Sequence, residues 1–236
     1  LIFLISCFIK IENVLNFHKG TKMIKGLLNI LIFCAVGLYS AGSFAAQLHD
    51  YAKSGNLSGV KQELAEAGTL IDDQNADGET ALMLAAKNGH KEVVEFLINN
   101  GANIEAQDNE DNTALIWAAG EGYQEIVELL IDKGADIEAQ EIRGNTALMM
   151  AASYGNKEIA EFLIEKGANI EAQTIGGWTS LMLASVGGHK EIVELLIDKG
   201  ANIEAKNRRG MTPLMLATVI GYKDIVELLA SKGAKQ

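Results

Sequence analysis

The sequence predicts an all-α repeat solenoid, built from helix-turn-helix units that are joined by β-hairpin loops with a period of 33 residues. Three observations predict it. The pairs Gly101-Ala102, Gly134-Ala135, Gly167-Ala168, Gly200-Ala201 and Gly233-Ala234 recur at 33-residue intervals without a gap. Thr80, Thr113, Thr146, Thr179 and Thr212 keep the same interval. Between each Thr and the next Gly-Ala pair lie two short apolar-periodic stretches parted by Gly, and self-similarity at such a period is the signature of stacked repeats.

The first full unit, NADGETALMLAAKNGHKEVVEFLINNGANIEAQ, gives the reason for each element. Thr80 stands at a helix N-cap, where its hydroxyl can accept from an orphan backbone N–H. Leu82, Leu84 and Ala85 form the apolar stripe of the first helix, with Ala keeping neighbouring helices close, and Gly89 ends it. The second helix has Glu92 in its first turn and Val93, Val94, Phe96 and Leu97 as its apolar positions. Gly101 stops it in the left-handed conformation that glycine tolerates. Later copies place Lys133, Lys166, Lys199 and Lys232 before that Gly, where a cation suits the helix C-terminus. From Ile104 the chain runs out into a hairpin that leads to the next Thr.

The motif and its period resemble the ankyrin-repeat family over residues 47–236. The resemblance divides the chain into an N-terminal capping unit at 46–74, full units at 75–107, 108–140, 141–173 and 174–206, and a C-terminal capping unit at 207–236. Two departures from the family pattern stand out. Where the family has Thr-Pro-Leu-His, this chain reads Thr80-Ala-Leu-Met, Thr113-Ala-Leu-Ile, Thr146-Ala-Leu-Met, Thr179-Ser-Leu-Met and Thr212-Pro-Leu-Met. The His-mediated ties between units are therefore expected to be missing, with apolar contact through Met83, Ile116, Met149, Met182 and Met215 in their place. Where the family often has Asn before the hairpin, Glu105, Glu138, Glu171 and Glu204 recur, which predicts a solvated stripe of carboxylates.

The first 45 residues differ in character from the rest. From Met23 the chain has a basic residue, Lys25, an apolar stretch from Leu27 to Tyr39, and small residues at Ser43 and Ala45, the layout of a signal peptide over 23–45 cut after Ala45. A membrane anchor at the N-terminus is the rival reading, but the apolar run is shorter than the roughly 18 to 20 residues that span a bilayer, and no stable insertion is expected after cleavage. Residues 1–22 begin without Met and are expected to be an upstream extension foreign to the native protein. Removing residues 1–45 takes four Lys, one Glu and both cysteines, and leaves 16 basic and 30 acidic residues. So acidic a chain disfavours nucleic acid as a partner. These features fit a bacterial-type exported member of the family, periplasmic or secreted.

Catalytic chemistry is not indicated. The recurrent Glu residues fall one per unit, about 8 to 10 Å apart in packed helices, too far to share a metal ion. His49, His90 and His189 lie in separate units, and His90 and His189 occupy the Gly-His turn between helices, which favours a structural role. No cofactor, metal or enzymatic activity is expected. The varying hairpin tips are the informative positions, since variable residues on a regular scaffold are where repeat proteins encode recognition. Acidic tips at Asp77, Glu79 and Glu110 give way to Ile142, Arg143, Ile175, Trp178, Arg208, Arg209 and Met211. With Tyr154, Val186, Val219 and Ile220 from the ends of first helices, these are expected to form a contact patch for a protein partner, in which Trp178 and Met211 make one apolar spot. Glu79→Ala, at the equivalent tip of the first unit, is expected to do little to capture of that partner. The chain thus reads as an exported, non-catalytic protein-protein interaction module. A structural or self-associating envelope solenoid and a secreted effector acting in a host cell are the alternatives.

Overall fold

The chain divides into two parts, residues 1–44 and 45–236. The structure, a computed structural model, describes residues 47–65 and 70–235. The signal peptide expected over 23–45, its cut and the extension at 1–22 lie outside the described residues.

Helices of seven to nine residues are too short to hold themselves together in water, so each here depends on its neighbours. They come in pairs. The N-terminal unit holds α1, seen over 47–53, and α2 (Leu57–Ala65). The full units hold α3 (Ala81–Lys87) and α4 (Lys91–Asn99), α5 (Ala114–Glu121) and α6 (Gln124–Asp132), α7 (Ala147–Tyr154) and α8 (Lys157–Glu165), and α9 (Ser180–Gly187) and α10 (Lys190–Asp198). The last pair is α11 (Pro213–Ile220) and α12 (Lys223–Ser231). First helices stack on first helices from unit to unit, and second helices form a parallel row behind them.

Each first helix starts as the sequence predicts. The threonine hydroxyls of Thr80, Thr113, Thr146, Thr179 and Thr212 accept from the amides of Met83, Ile116, Met149, Met182 and Met215 at 3.3 to 3.4 Å. The small residues Ala85, Ala118, Ala151, Ala184 and Ala217 are wholly buried, which lets the first helices approach closely. Leu82, Leu115, Leu148 and Leu181 are buried to within 1%. Second helices contribute Val94, Val127, Ala160 and Val193, also wholly buried. Met83, Ile116, Met149 and Met182 are buried as expected, whereas Met215 in the last unit is half-buried.

Positive-φ glycine recurs at three positions per unit, the hairpin tip and the ends of both helices. Gly155, ending α7, has φ +85°, and a Cβ there would lie 2.7 Å from the ring of His189 in the next unit. At the hairpin tips Gly78, Gly144, Gly177 and Gly210 share a positive φ with a single non-glycine residue, Asp111 at +63°. Asp is among the few L-residues that accept this conformation. The tips themselves are turns closed by two backbone bonds each, such as Gly177 N to Thr174 O at 2.8 Å and Thr174 N to Trp178 O at 3.0 Å, and among the described residues no β-strand forms.

Four kinds of tie register one unit on the next. At the tips the amides of Asn109, Ile142, Ile175 and Arg208 donate to the carbonyls of Asp77, Glu110, Arg143 and Gly176 at 2.8 to 3.0 Å. The Glu stripe forms the second tie and is more than a solvated surface. Glu105, Glu138, Glu171 and Glu204 accept through Oε1 from the amides of Asp136, Asn169, Asn202 and Lys235 at 2.7 to 2.9 Å, and Asp72 does the same for Asn103. Third, histidines tie units together from the Gly-His turns, in place of the Thr-Pro-Leu-His position that this chain lacks. His90 and His189 donate from Nε2 to the carbonyls of Lys53 and Ser153 in the preceding unit, and His49 donates to Asp73 O within the N-terminal unit. Asn156 takes the His role in its own unit through Ala119 O and Gly120 O. The fourth tie reaches back from the lysines before the Gly-Ala pairs, Lys133 to Asn99, Lys166 to Asp132 and Lys232 to Asp198.

A carboxylate bonded to a backbone amide makes a charge-assisted bond. Glu138→Ala is therefore expected to lower unfolding free energy in urea by about 0.5–1 kcal/mol, and Glu138→Gln, which keeps a carbonyl acceptor, by less. Equal losses would mean that the charge and not the bond carries the effect.

Candidate functional site

The hairpin tips and the exposed edge of the first helices form one continuous face. Its character changes along the stack. On the third and fourth full units lies an open cleft of about 500 Å³, lined by Ile142, Arg143, Ile175, Trp178, Leu183 and Val186 among others. Ile142 is 53% and Ile175 58% exposed, large values for apolar side chains on consecutive tips. The tip bond from Ile175 N to Arg143 O holds these two tips in register.

Trp178 is half-buried and fixed at its backbone, where its amide donates to Thr174 Oγ1 and its carbonyl accepts from Thr174 N, both at 3.0 Å. Its indole folds back over Gly176, where a Cβ would come within 2.9 Å of Trp178 Cδ1. Gly176 stands where the other tips have Asp77, Glu110, Arg143 and Arg209, and that bare position is what makes room for the ring.

Of the predicted patch, the structure brings Ile142, Arg143, Ile175, Trp178 and Val186 to one cleft. Met211 does not join Trp178 there. It is half-buried on its own tip, its amide bonded to Asn207 Oδ1, and Leu183 of α9 lines the cleft instead. Arg208 and Arg209 are exposed on that same next tip, beyond the cleft. Tyr154, 63% exposed, lies near Gly120 in the preceding unit, and Val219 and Ile220 are exposed on the last first helix. Leu183 was not singled out from sequence because its counterparts Leu84 and Leu216 look like ordinary stripe residues.

The first two units carry a second pocket, of about 270 Å³, that sequence reasoning did not find. It is lined by Asp77, Glu79, Lys87, Asp108, Glu110 and Trp117 among others. Lys87 Nζ pairs with Glu79 Oε1 at 2.8 Å and sits 3.6 Å from the centre of the Trp117 ring. Trp117 Nε1 in turn donates to Asp108 Oδ2 at 3.0 Å. Glu79 therefore has a structural role within this cluster. It is 8% exposed, and burial alone would raise the pKa of its carboxyl, but bonds from Lys87 and Asn75 to the charged form outweigh that and hold it below its ordinary value. The contrast at the far end is instructive. Met211 offers no such acceptor, and Asn207 Nδ2, the counterpart of the Asn75 amide that donates to Glu79, is buried without a partner.

Among the described residues no group of three or more His, Cys, Asp or Glu side chains is placed to hold a metal ion, and no helix is long and apolar enough to cross a membrane. What the geometry offers is a graded, rigid contact surface, the property of a repeat-scaffold binding protein. The family description "Ankyrin repeats (3 copies)" matches residues 48–141 and 148–236, and the chain belongs to the ankyrin-repeat family. The chain is 39% identical over 67 residues to the inactive serine/threonine-protein kinase TEX14 of Mus musculus, covering 28% of this chain and 5% of that protein. It is 38% identical over 55 residues to the NAD-capped RNA hydrolase NUDT12 of Homo sapiens, covering 23% and 12%. A third similarity, 37% over 71 residues, is to cortactin-binding protein 2 of Ornithorhynchus anatinus, covering 30% and 4%. The chain therefore matches only a small fraction of the length of these relatives. Ankyrin repeats in general mediate protein-protein interaction and are typically non-catalytic.

The Lys87–Glu79 pair has a signed pH dependence. Because the native carboxyl pKa is depressed, the pair's contribution is complete above the ordinary Glu value of about 4.3 and is lost as the pH falls through the native value. Lys87→Met is expected to lower stability in urea by about 1–2 kcal/mol at neutral pH, with the gap to wild type narrowing below about pH 4. A gap that stays constant with pH would assign the effect to the ammonium's contact with Trp117 alone.

Proposed function

We propose that this chain is a non-catalytic module that holds a protein partner against the tips and cleft of its third full, fourth full and C-terminal units. The observation that carries this reading is the cleft itself: exposed Ile142 and Ile175 flank a half-buried Trp178 on tips locked in register by backbone bonds. Aromatic and Arg side chains beside a rigid apolar depression are the composition of binding hot spots. A preorganised backbone also limits the ordering entropy that association must overcome.

The test is affinity capture from an extract of the cells that make the protein. Trp178→Ala is expected to weaken capture by about 2 kcal/mol or more, some thirtyfold, while leaving the urea midpoint nearly unchanged. Glu95→Ala, at an exposed position of α4 away from the tips, is the control for substitution outside the face. Unfolding of Trp178→Ala, with capture intact for the folded fraction, would assign Trp178 to packing and move the contact surface elsewhere.

Export to the periplasm or the exterior is part of the proposal and is supported by the residues at 23–45 alone. Protein recovered outside the cytoplasm is expected to begin at Ala46 on N-terminal sequencing. A chain that begins at residue 1 or 23 and stays in the membrane fraction would replace the exported module with an anchored one.

A further inference from the structure

We infer that the segment held on this face is sorted by charge along its length, with apolar and acidic side chains on the third full, fourth full and C-terminal units and basic side chains on the first two full units. The inference rests on the protein-binding reading above and deepens it.

It starts from charge left uncompensated within the chain. Asp77 and Glu110 are exposed on the first two tips, and Arg143, Arg208 and Arg209 are exposed on later ones. None of the five takes part in an ion pair among the described residues. This holds even where opposite charges occupy adjacent tips, because the bond from Ile142 N to Glu110 O fixes the backbone of those tips and not their side chains. The fold carries both signs on one face and keeps them apart.

The ground beneath the tips changes in the same direction. In the first unit Glu79 lies under the tip and Lys87 on the helix edge. One unit on, the equivalent positions are Asn112 and Gly120, and by the fourth full unit they are Trp178 and Val186. The ammonium of Lys87 is committed to Glu79 and Trp117, so the carboxylates of Asp77, Asp108 and Glu110 leave that pocket net negative. The cleft over Trp178 has Arg143 as its one charged lining residue. A uniformly basic partner would meet like charge at Arg143, Arg208 and Arg209, and a uniformly acidic one would meet it at Asp77 and Glu110. Such repulsion is how interfaces exclude wrong partners. Five tips at about 8–10 Å per unit span about 30–40 Å, which an extended segment of about 10–12 residues covers.

Three fluorescent synthetic peptides of about 14 residues test this against the full chain by anisotropy at low and moderate salt. Two join a Lys/Arg half to a half of Leu, Phe and Glu, in the two possible orders, and the third has the same composition shuffled. At least one segregated peptide is expected to bind about tenfold more tightly than the shuffled one, and the double variant Asp77→Lys/Glu110→Lys is expected to erase that advantage with an unchanged circular dichroism spectrum. Equal binding of all three that Trp178→Ala abolishes would overturn charge sorting and leave the protein-binding reading standing. Failure of every peptide to bind the folded chain would also overturn it, and the capture experiment then decides the wider reading separately. A concentration-dependent dimer in sedimentation that the double variant dissolves would make the occupant a second copy of this chain, which overturns the inference as well.

Discussion

No unit of this chain can bury its own apolar stripe. The helices are seven to nine residues long, and Leu82, Leu115, Leu148 and Leu181 are buried to within 1% because first helices pack against first helices from unit to unit. Everything else follows from that constraint. Alanine at the closest approach sets how near the helices come, and threonine caps and positive-φ glycines set where they begin and end. Polar ties then fix the register, because apolar contact is non-directional and would tolerate sliding.

The ties divide the work by position. Tip amides bonded to tip carbonyls hold the contact face, the Glu138-type carboxylates clamp the loops, and His90, His189 and Asn156 bind first helix to next unit behind the tips. The contact face therefore varies in side chains while its backbone is constant. Trp178 can replace Glu79 at equivalent positions because the bonds that shape the tip are made by backbone and by residues such as Thr174 and Asn75. Surface variation and architecture are carried by different atoms of the same residues.

Much of this was legible in the sequence. Caps, glycines and the two-helix unit are local, so Thr80 or Gly101 announces its role without knowledge of its neighbours. Position on the exposed face was legible too, since Ile142 and Ile175 occupy tips that are polar in earlier units. What escaped were relations between units. Glu138 looks like a solvated carboxylate until the amide of Asn169 is placed beside it, and His90 looks like a turn residue until Lys53 O appears. The Lys87, Glu79 and Trp117 cluster occurs once, so the period that revealed the fold gave no hint of it.

Every carboxylate clamp from Asp72 to Glu204 joins residues that are 31 positions apart, two short of the period. A genetic exchange that adds or removes a whole 33-residue unit preserves that offset at each junction, so the altered protein inherits a complete set of clamps without any compensating mutation. Lengthening the array therefore costs no new invention, and the order of its tips can be rewritten by recombination faster than by point substitution. A surface whose acidic and basic ends lie on separate units is one that such shuffling can assemble, or take apart, in a single event.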